Sequence, residues 1–235
     1  QPADANLAAL ITAQVALNYG LFAREIVFHG RFDERDRRFL AEMAGNTARE
    51  IYVKKFLQPN PFLVGPAAAL APDRRGDYLQ ARLEFADPEP EAATPAPAWD
   101  RAPQACAVLS SGCKDSLLSY GLLAECGVPV HPVFGNESGR HWFTALNAYR
   151  HFKDHVPGTA RVWTNCDRVY AWALRQMPFI RPDFADVRAD IYPERLWTVA
   201  VFLFGALPLL RKRGVGRLVI GDEYDTSLRA RHKGI

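Results

Sequence analysis

One segment constrains this chain more than any other. An apolar run, Ala105 to Leu109, passes without a break into Ser110-Ser111-Gly112-Cys113-Lys114-Asp115-Ser116 and then into a helical pattern, Leu117 to Glu125. A buried strand, a tight turn and a helix N-terminus in that order place unpaired backbone N–H groups at a strand's carboxyl end. The positive end of the helix dipole adds to them, so an anion is favoured there. Gly112 lets the backbone approach a ligand closely, Ser111 and Ser116 offer hydroxyl donors, and Lys114 adds a charge. Asp115 would repel a bare phosphate, and it makes sense only against a donor or a Mg²⁺. The same residues also read as a plain N-cap cluster.

The rest of the chain from residue 104 onward fits a parallel sheet. Ala105 to Leu109, Val128 to Phe134, Ala160 to Thr164 and Arg217 to Ile220 are the expected strands. Helical patterns lie between them at Lys114 to Glu125, Arg140 to His155, Asp167 to Gln176 and Pro193 to Arg213. Strands alternating with helices predict an α/β fold with helices on both faces of the sheet. Before it, Pro88, Pro90, Pro95, Pro97 and Pro103 mark residues 86–103 as an extended linker. Residues 1–85 are expected to form a small α-rich or α+β unit. It has helical patterns from Asn6 to Asn18 and from Asp33 to Met43, ended by Gly45-Asn46, with a strand-like run from Glu25 to His29.

A second buried run, Leu218 to Ile220, ends in Gly221-Asp222-Glu223-Tyr224-Asp225. Ligands of open parallel sheets sit outside the carboxyl ends of strands near the topological switch, so both clusters are expected to meet there. Asp222 and Asp225 then stand as metal-side or phosphate-side residues, or else as a solvated acidic turn.

Ser111 to Ser116 resembles the Ser-Gly-Gly-x-Asp-Ser signature of the PP-loop ATP pyrophosphatases, the adenine nucleotide α-hydrolase-like superfamily. Gly221 to Asp225 is similar to that superfamily's later Gly-x-x-x-Asp segment. The likeness covers residues 104–235, and it departs at Cys113, where the family has a second Gly. It implies a Rossmann-like sheet that cleaves ATP between the α- and β-phosphates, adenylating a substrate oxygen while Mg²⁺ neutralises the leaving pyrophosphate. Lys114, Asp115 and Ser116 are then the catalytic residues, and Asp115 and Asp225 the metal side. Ser110, Ser111, Gly112, Cys113, Phe134, Gly135, Gly221 and Asp222 would hold the nucleotide, with Leu109 and Val133 beside the adenine.

The N-terminal part, with Leu17-Asn18-Tyr19 followed by Glu25-Ile26-Val27, and the Gly-Asp-Glu-Tyr-Asp segment are similar to a narrower family. These are the bacterial ATP-dependent epimerases acting on the terminal glutamate of UDP-N-acetylmuramoyl-alanyl-glutamate. That resemblance implies a small-molecule carboxylate substrate in peptidoglycan precursor synthesis. The alternatives are a PP-loop enzyme that thiolates or amidates tRNA or a small molecule, and a nucleotide-binding module without catalysis. The four cysteines form no CxxC pair, which lowers tRNA thiolation and favours a reduced, cytoplasmic protein. A net charge of +3, with basic runs only at Arg211-Lys212-Arg213 and Arg229 to Lys233, is weak support for nucleic acid.

Leu196 to Leu210 is too short and interrupted to span a bilayer and reads as a core helix. No signal-peptide pattern opens the chain, and the absent initiator Met and the stop after Ile235 suggest a longer protein. Gly135 to Trp142 is a polar stretch that reads either as a substrate loop or as a helix cap, with Glu137 and His141 candidates for a base by position. His151 and His155 have metal-ligand spacing but no partner motif and read as solvent-facing. Cys113 is the one thiol expected to be reactive; Cys106, Cys126, Trp163, Trp172 and Trp197 are expected in the core.

Overall fold

The computed structural model describes residues 2–88, 102, 104–136, 140–222 and 233–235. The chain divides into two units, and not as contiguous stretches. The first takes residues 1–94, 168–201 and 230–235; the second takes 95–167 and 202–229. Residues 168–201, expected in the sheet domain, belong with the N-terminal ones because of their apolar side chains. Leu174, Ile180 and Leu196 pack with Ile51, Phe56 and Phe62.

In the first unit, helix α1 (Pro2–Ala16) continues into a tight turn, Leu17–Tyr19, followed by strand β1 (Glu25–Phe28) and helix α2 (Glu34–Ile51). Asp33 caps α2 by accepting from the Asp36 amide at 2.8 Å, while the Asp36 carboxylate accepts from the Asp33 amide at 3.3 Å. Gly45-Asn46 does not end this helix, contrary to expectation. Leu40, Ala44, Thr47, Ala48 and Ile51 keep one face buried straight across the pair, and packing outweighs the weak helix propensity of two residues. The helix runs on into a widened turn, Tyr52–Phe56. Strand β2 (Arg82–Phe85), not foreseen, pairs parallel with β1. Leu17, Phe28, Phe32 and Leu40 form the core beside this ladder.

The second unit is the expected parallel sheet with helices against it. Strands β3 (Cys106–Ser110), β4 (Val130–Asn136), β5 (Ala160–Trp163) and β6 (Leu218–Ile220) lie in the order β5-β4-β3-β6, all parallel. Helices α3 (Lys114–Glu125) and α4 (Arg140–His155) follow β3 and β4. Helix α5 (Cys166–Gln176) belongs from residue 168 onward to the first unit, whereas α6 (Thr198–Lys212) belongs from residue 202 onward to the second. Because successive strand residues face opposite ways, β3 serves both faces. Ala107 and Leu109 pack with Ala206 and Leu210 of α6. On β4, Val133 joins that layer, whereas the Phe134 ring meets Tyr149 and Phe152 of α4 at 5.5 and 5.7 Å. Among the described residues no helix is long and apolar enough to cross a membrane.

Candidate functional site

In the sheet, β3 is flanked by β4 on one side and β6 on the other, so the strand order reverses next to β3. The turn after β3 and the residues after β6 therefore open on the switch point, the crevice side of an open parallel sheet.

The turn is held in shape by its own buried hydroxyls. The Gly112 amide donates to Ser110 Oγ at 3.1 Å, Ser110 Oγ meets Ser116 Oγ at 3.0 Å, and Ser116 Oγ donates to the Cys113 carbonyl at 3.0 Å. Since Ser116 spends its proton on that carbonyl, Ser110 is the donor of the middle bond. Ser110 and Ser116 are both buried. Ser116, expected as a hydroxyl donor to a ligand, here donates to the Cys113 carbonyl and braces the loop.

Gly112 has φ +76°, and a Cβ there would lie 2.8 Å from Ala145 Cα on α4. This position admits glycine for two reasons, backbone handedness and close approach. Ser111, Cys113 and Lys114 are exposed at the mouth of the turn. Cys113 is the N-cap residue of α3, with φ −87° and ψ 169°. Its thiol accepts from Ser111 Oγ at 2.9 Å. Partial burial raises its pKa, but the Ser111 hydroxyl, the Ser116 amide and hydroxyl and the Asp115 amide outweigh burial and set the thiol below its ordinary range.

Gly221 brings the end of β6 against α3. A Cβ on it would lie 2.6 Å from the Asp115 carbonyl oxygen and 2.8 Å from Ser119 Oγ, so the end of β6 presses on the first turn of α3. Asp222 follows at the surface. Asp225 and Glu223 lie outside the described residues, as do Glu137 and Ser138. Among the described residues no group of three His, Cys, Asp or Glu side chains gathers to hold a metal. Asp115 is half-buried and Asp222 exposed.

The residues expected against an adenine are placed differently from one another. Phe134 is buried under α4, and Leu109 and Val133 lie in the layer under α6. None of these side chains points out of the strand end. Gly135 is the nearer one to that end, and a Cβ on it would strike the Phe202 ring at 2.9 Å.

Several residues differ from expectation. Trp163 and Trp172 are 57% and 61% exposed rather than core, and Cys126 is exposed as well. Trp163 ends edge strand β5 opposite Asn136, on the outward-facing phase of the strand alternation. The alternation Arg161, Val162, Trp163 could have revealed this, since the smaller middle residue is the one that faces inward. Cys106 is buried as expected, and His151 and His155 are exposed with their rings stacked at 4.4 Å. In the first unit, Glu194 is completely buried, which no sequence motif signals.

The chain matches no family model, no curated protein and no solved structure. The fold defines a mixed α/β protein with parallel sheets flanked by helices.

Proposed function

We propose that the chain binds ATP at the Ser110–Ser116 turn and transfers its adenylyl group to a carboxylate, releasing pyrophosphate. The observation that carries this reading is the pressing of Gly221 onto Asp115 at the switch point. It packs the backbone after β6 onto the first turn of α3, beside an anion-favouring helix N-terminus, and Asp115 and Asp222 are the carboxylates carried by these two segments. Ser111, Lys114 and the amides around Gly112 would take the phosphates. Asp115 and Asp222, with Asp225, would hold a Mg²⁺, which when bound supplies charge neutralisation for pyrophosphate. The chain's own contribution is positioning: a rigid turn that keeps the α-phosphorus in line with the attacking carboxylate oxygen while the bond to pyrophosphate breaks. The resemblance of Ser111 to Ser116 to the PP-loop signature supports the same chemistry.

The acceptor is the glutamate α-carboxylate of UDP-N-acetylmuramoyl-L-alanyl-L-glutamate. This rests on the likeness of the N-terminal part to the epimerases, on the absence of a CxxC pair for sulfur chemistry, and on the modest net charge of +3. Adenylation removes the negative charge that holds the Cα proton in place, so a modest base can then invert the centre. The test is incubation with ATP, Mg²⁺ and that precursor, reading AMP, pyrophosphate and glutamate chirality. AMP and pyrophosphate that depend on the acceptor support the reading, and ADP with orthophosphate as sole products refutes it. A second reading, a module that binds nucleotide without cleaving it, is favoured by one observation. The Cys113 thiol already draws the Ser111 hydroxyl and the first amides of α3 to itself. ATP binding without any AMP would select it.

A further inference from the structure

In the first unit, the segment between the short helical turn Phe184–Asp186 and α6 is held by side chains rather than by a ladder. Residues 187–197 contain neither helix nor strand. At one end the Asn60 side chain donates to the Ile191 carbonyl at 3.0 Å, and at the other the fully buried Asn18 accepts from the amides of Leu196 and Trp197, both at 3.0 Å. Asn60 also donates to the Lys55 carbonyl, and Asn18 to the Tyr170 hydroxyl, so each clasp is itself anchored. The Tyr192 ring lies 4.7 Å from that of Phe62, which lays the middle of the segment against the core.

Between the two clasps sits Glu194, 0% exposed, and neither carboxyl oxygen has a hydrogen-bond partner among the described residues. The Arg195 Nε is 3.5 Å from Oε1, outside good hydrogen-bonding geometry. Its guanidinium lies instead over the rings of Tyr192 and Tyr170, at 4.3 and 4.9 Å. The other charge facing Glu194 is Lys55, which also faces Asp190 and Lys54. A carboxylate in such a place gives up its hydration and gains little in return, so the neutral acid is the form that fits.

We propose that residues 191–197 form a pH-sensitive strap: while Glu194 carries its proton the segment stays closed, and loss of that proton lifts it from Asn18 with the rest of the first unit still folded. This goes beyond the adenylating reading and does not depend on it. Water can reach the carboxylate by two routes, opening of this segment or unfolding of the whole unit. The first breaks a few neutral side-chain bonds and no ladder, so it is the less costly route. Burial holds the Glu194 pKa at about 7, against the opposing pull of its own amide, Arg195 and Lys55, whereas in the open segment it returns to the ordinary 4.5. The closed form therefore keeps a proton that the open form gives up between those values. Opening is favoured as pH rises through this interval and levels off above it.

The experiment is hydrogen exchange of the full chain, read amide by amide by NMR at about pH 5 and about pH 7.5 with the intrinsic rate divided out, in wild type and Glu194→Gln. In wild type the protection of the Leu196 and Trp197 amides should fall about fiftyfold between the two pH values. It should stay insensitive to low urea, because a local opening exposes little surface. Amides of α2 should keep a higher protection that urea erodes. Glu194→Gln, uncharged and of nearly the same shape, should protect the two amides equally at both pH values. The wild-type ratio and its urea dependence need no variant. Three results overturn the proposal: wild-type protection that does not change with pH, a change that persists in Glu194→Gln, or Leu196 and Trp197 amides that exchange only with those of α2 and with their urea dependence, which marks global unfolding.

Discussion

Gly221 lies so close to Asp115 that the hydrogen on its Cα cannot be exchanged for a methyl group without contact, since a Cβ would sit 2.6 Å from the Asp115 carbonyl oxygen. The obstacle is backbone rather than the end of a flexible side chain, so relief requires β6 and α3 to move apart. The relationship ties the two strand ends into one structure.

Gly221→Ala is accordingly expected to cost about 1–3 kcal/mol, as overpacking does elsewhere, and to weaken ATP binding at least tenfold. Gly121→Ala is the control: Gly121 lies within α3 with nothing within 4 Å of the added Cβ. There alanine should be neutral or stabilise by up to about 1 kcal/mol. Urea unfolding and nucleotide titration of both variants check the contrast. Equal stability of the two would refute the close packing.

The hydroxyl relay of the turn makes a second contrast. Ser116→Ala leaves the buried Ser110 hydroxyl without its acceptor and takes one of two donors from the Cys113 carbonyl, the Leu117 amide remaining at 3.1 Å, an expected loss of about 1–3 kcal/mol. Ser111→Ala, at an exposed hydroxyl, should change stability by no more than about 0.5 kcal/mol yet reduce ATP affinity. Thermal melts with and without ATP separate bracing from binding. A Ser116→Ala variant as stable as wild type would show that the relay contributes nothing.

Much of the second unit was legible because its signals are local. The helices Lys114–Glu125 and Arg140–His155 begin and end where the pattern places them, and the strands shift by only one or two residues. The first unit was harder to read for physical reasons. Helix α2 continues through Gly45-Asn46 because burial on one face decides, which propensity does not register. Strand β2 is a four-residue run whose partner lies far back in the sequence. No change of composition marks residues 168–201, whose place is set by apolar contacts with Ile51 and Phe62. The turn at Ser110–Ser116 was visible from residue types, but which hydroxyls face inward was not, since that depends on φ at Gly112 and on the approach of α4. Glu194 carried no motif, and only its burial and missing partners distinguish it.

Cys113 and Cys126 are both exposed, and Cys113 has hydroxyl and amide donors that favour its thiolate. At pH 7 Cys113 should therefore alkylate with iodoacetamide several-fold faster than Cys126, with a pH–rate midpoint below the ordinary thiol range. ATP should slow that reaction if the turn binds phosphates. Cys113→Gly, which restores the glycine of the similar signature, should keep or improve ATP affinity. Peptide mapping by mass spectrometry gives the two rates, and equal rates at the two thiols would discount the donors at the turn.

Glu194 makes a prediction independent of any substrate. Its carboxyl, with an ordinary pKa of 4.5, is raised by burial to about 7 in the folded chain. Between those values the native state keeps a proton that the unfolded state has lost, so stability falls as pH rises through this interval and levels off above it. At about 1.4 kcal/mol per pKa unit, the difference amounts to about 3 kcal/mol between pH 4 and pH 8. Glutamine has nearly the same shape and no charge to desolvate, so Glu194→Gln should lose this component of the pH dependence. The variant should match wild type at pH 4 and exceed it by about 3 kcal/mol at pH 8. Urea midpoints measured at both pH values on both proteins give the comparison. A wild-type protein whose advantage over the variant instead grows with pH would mean that the ionised carboxylate is satisfied in the fold, and the orphaned state of Glu194 would be refuted.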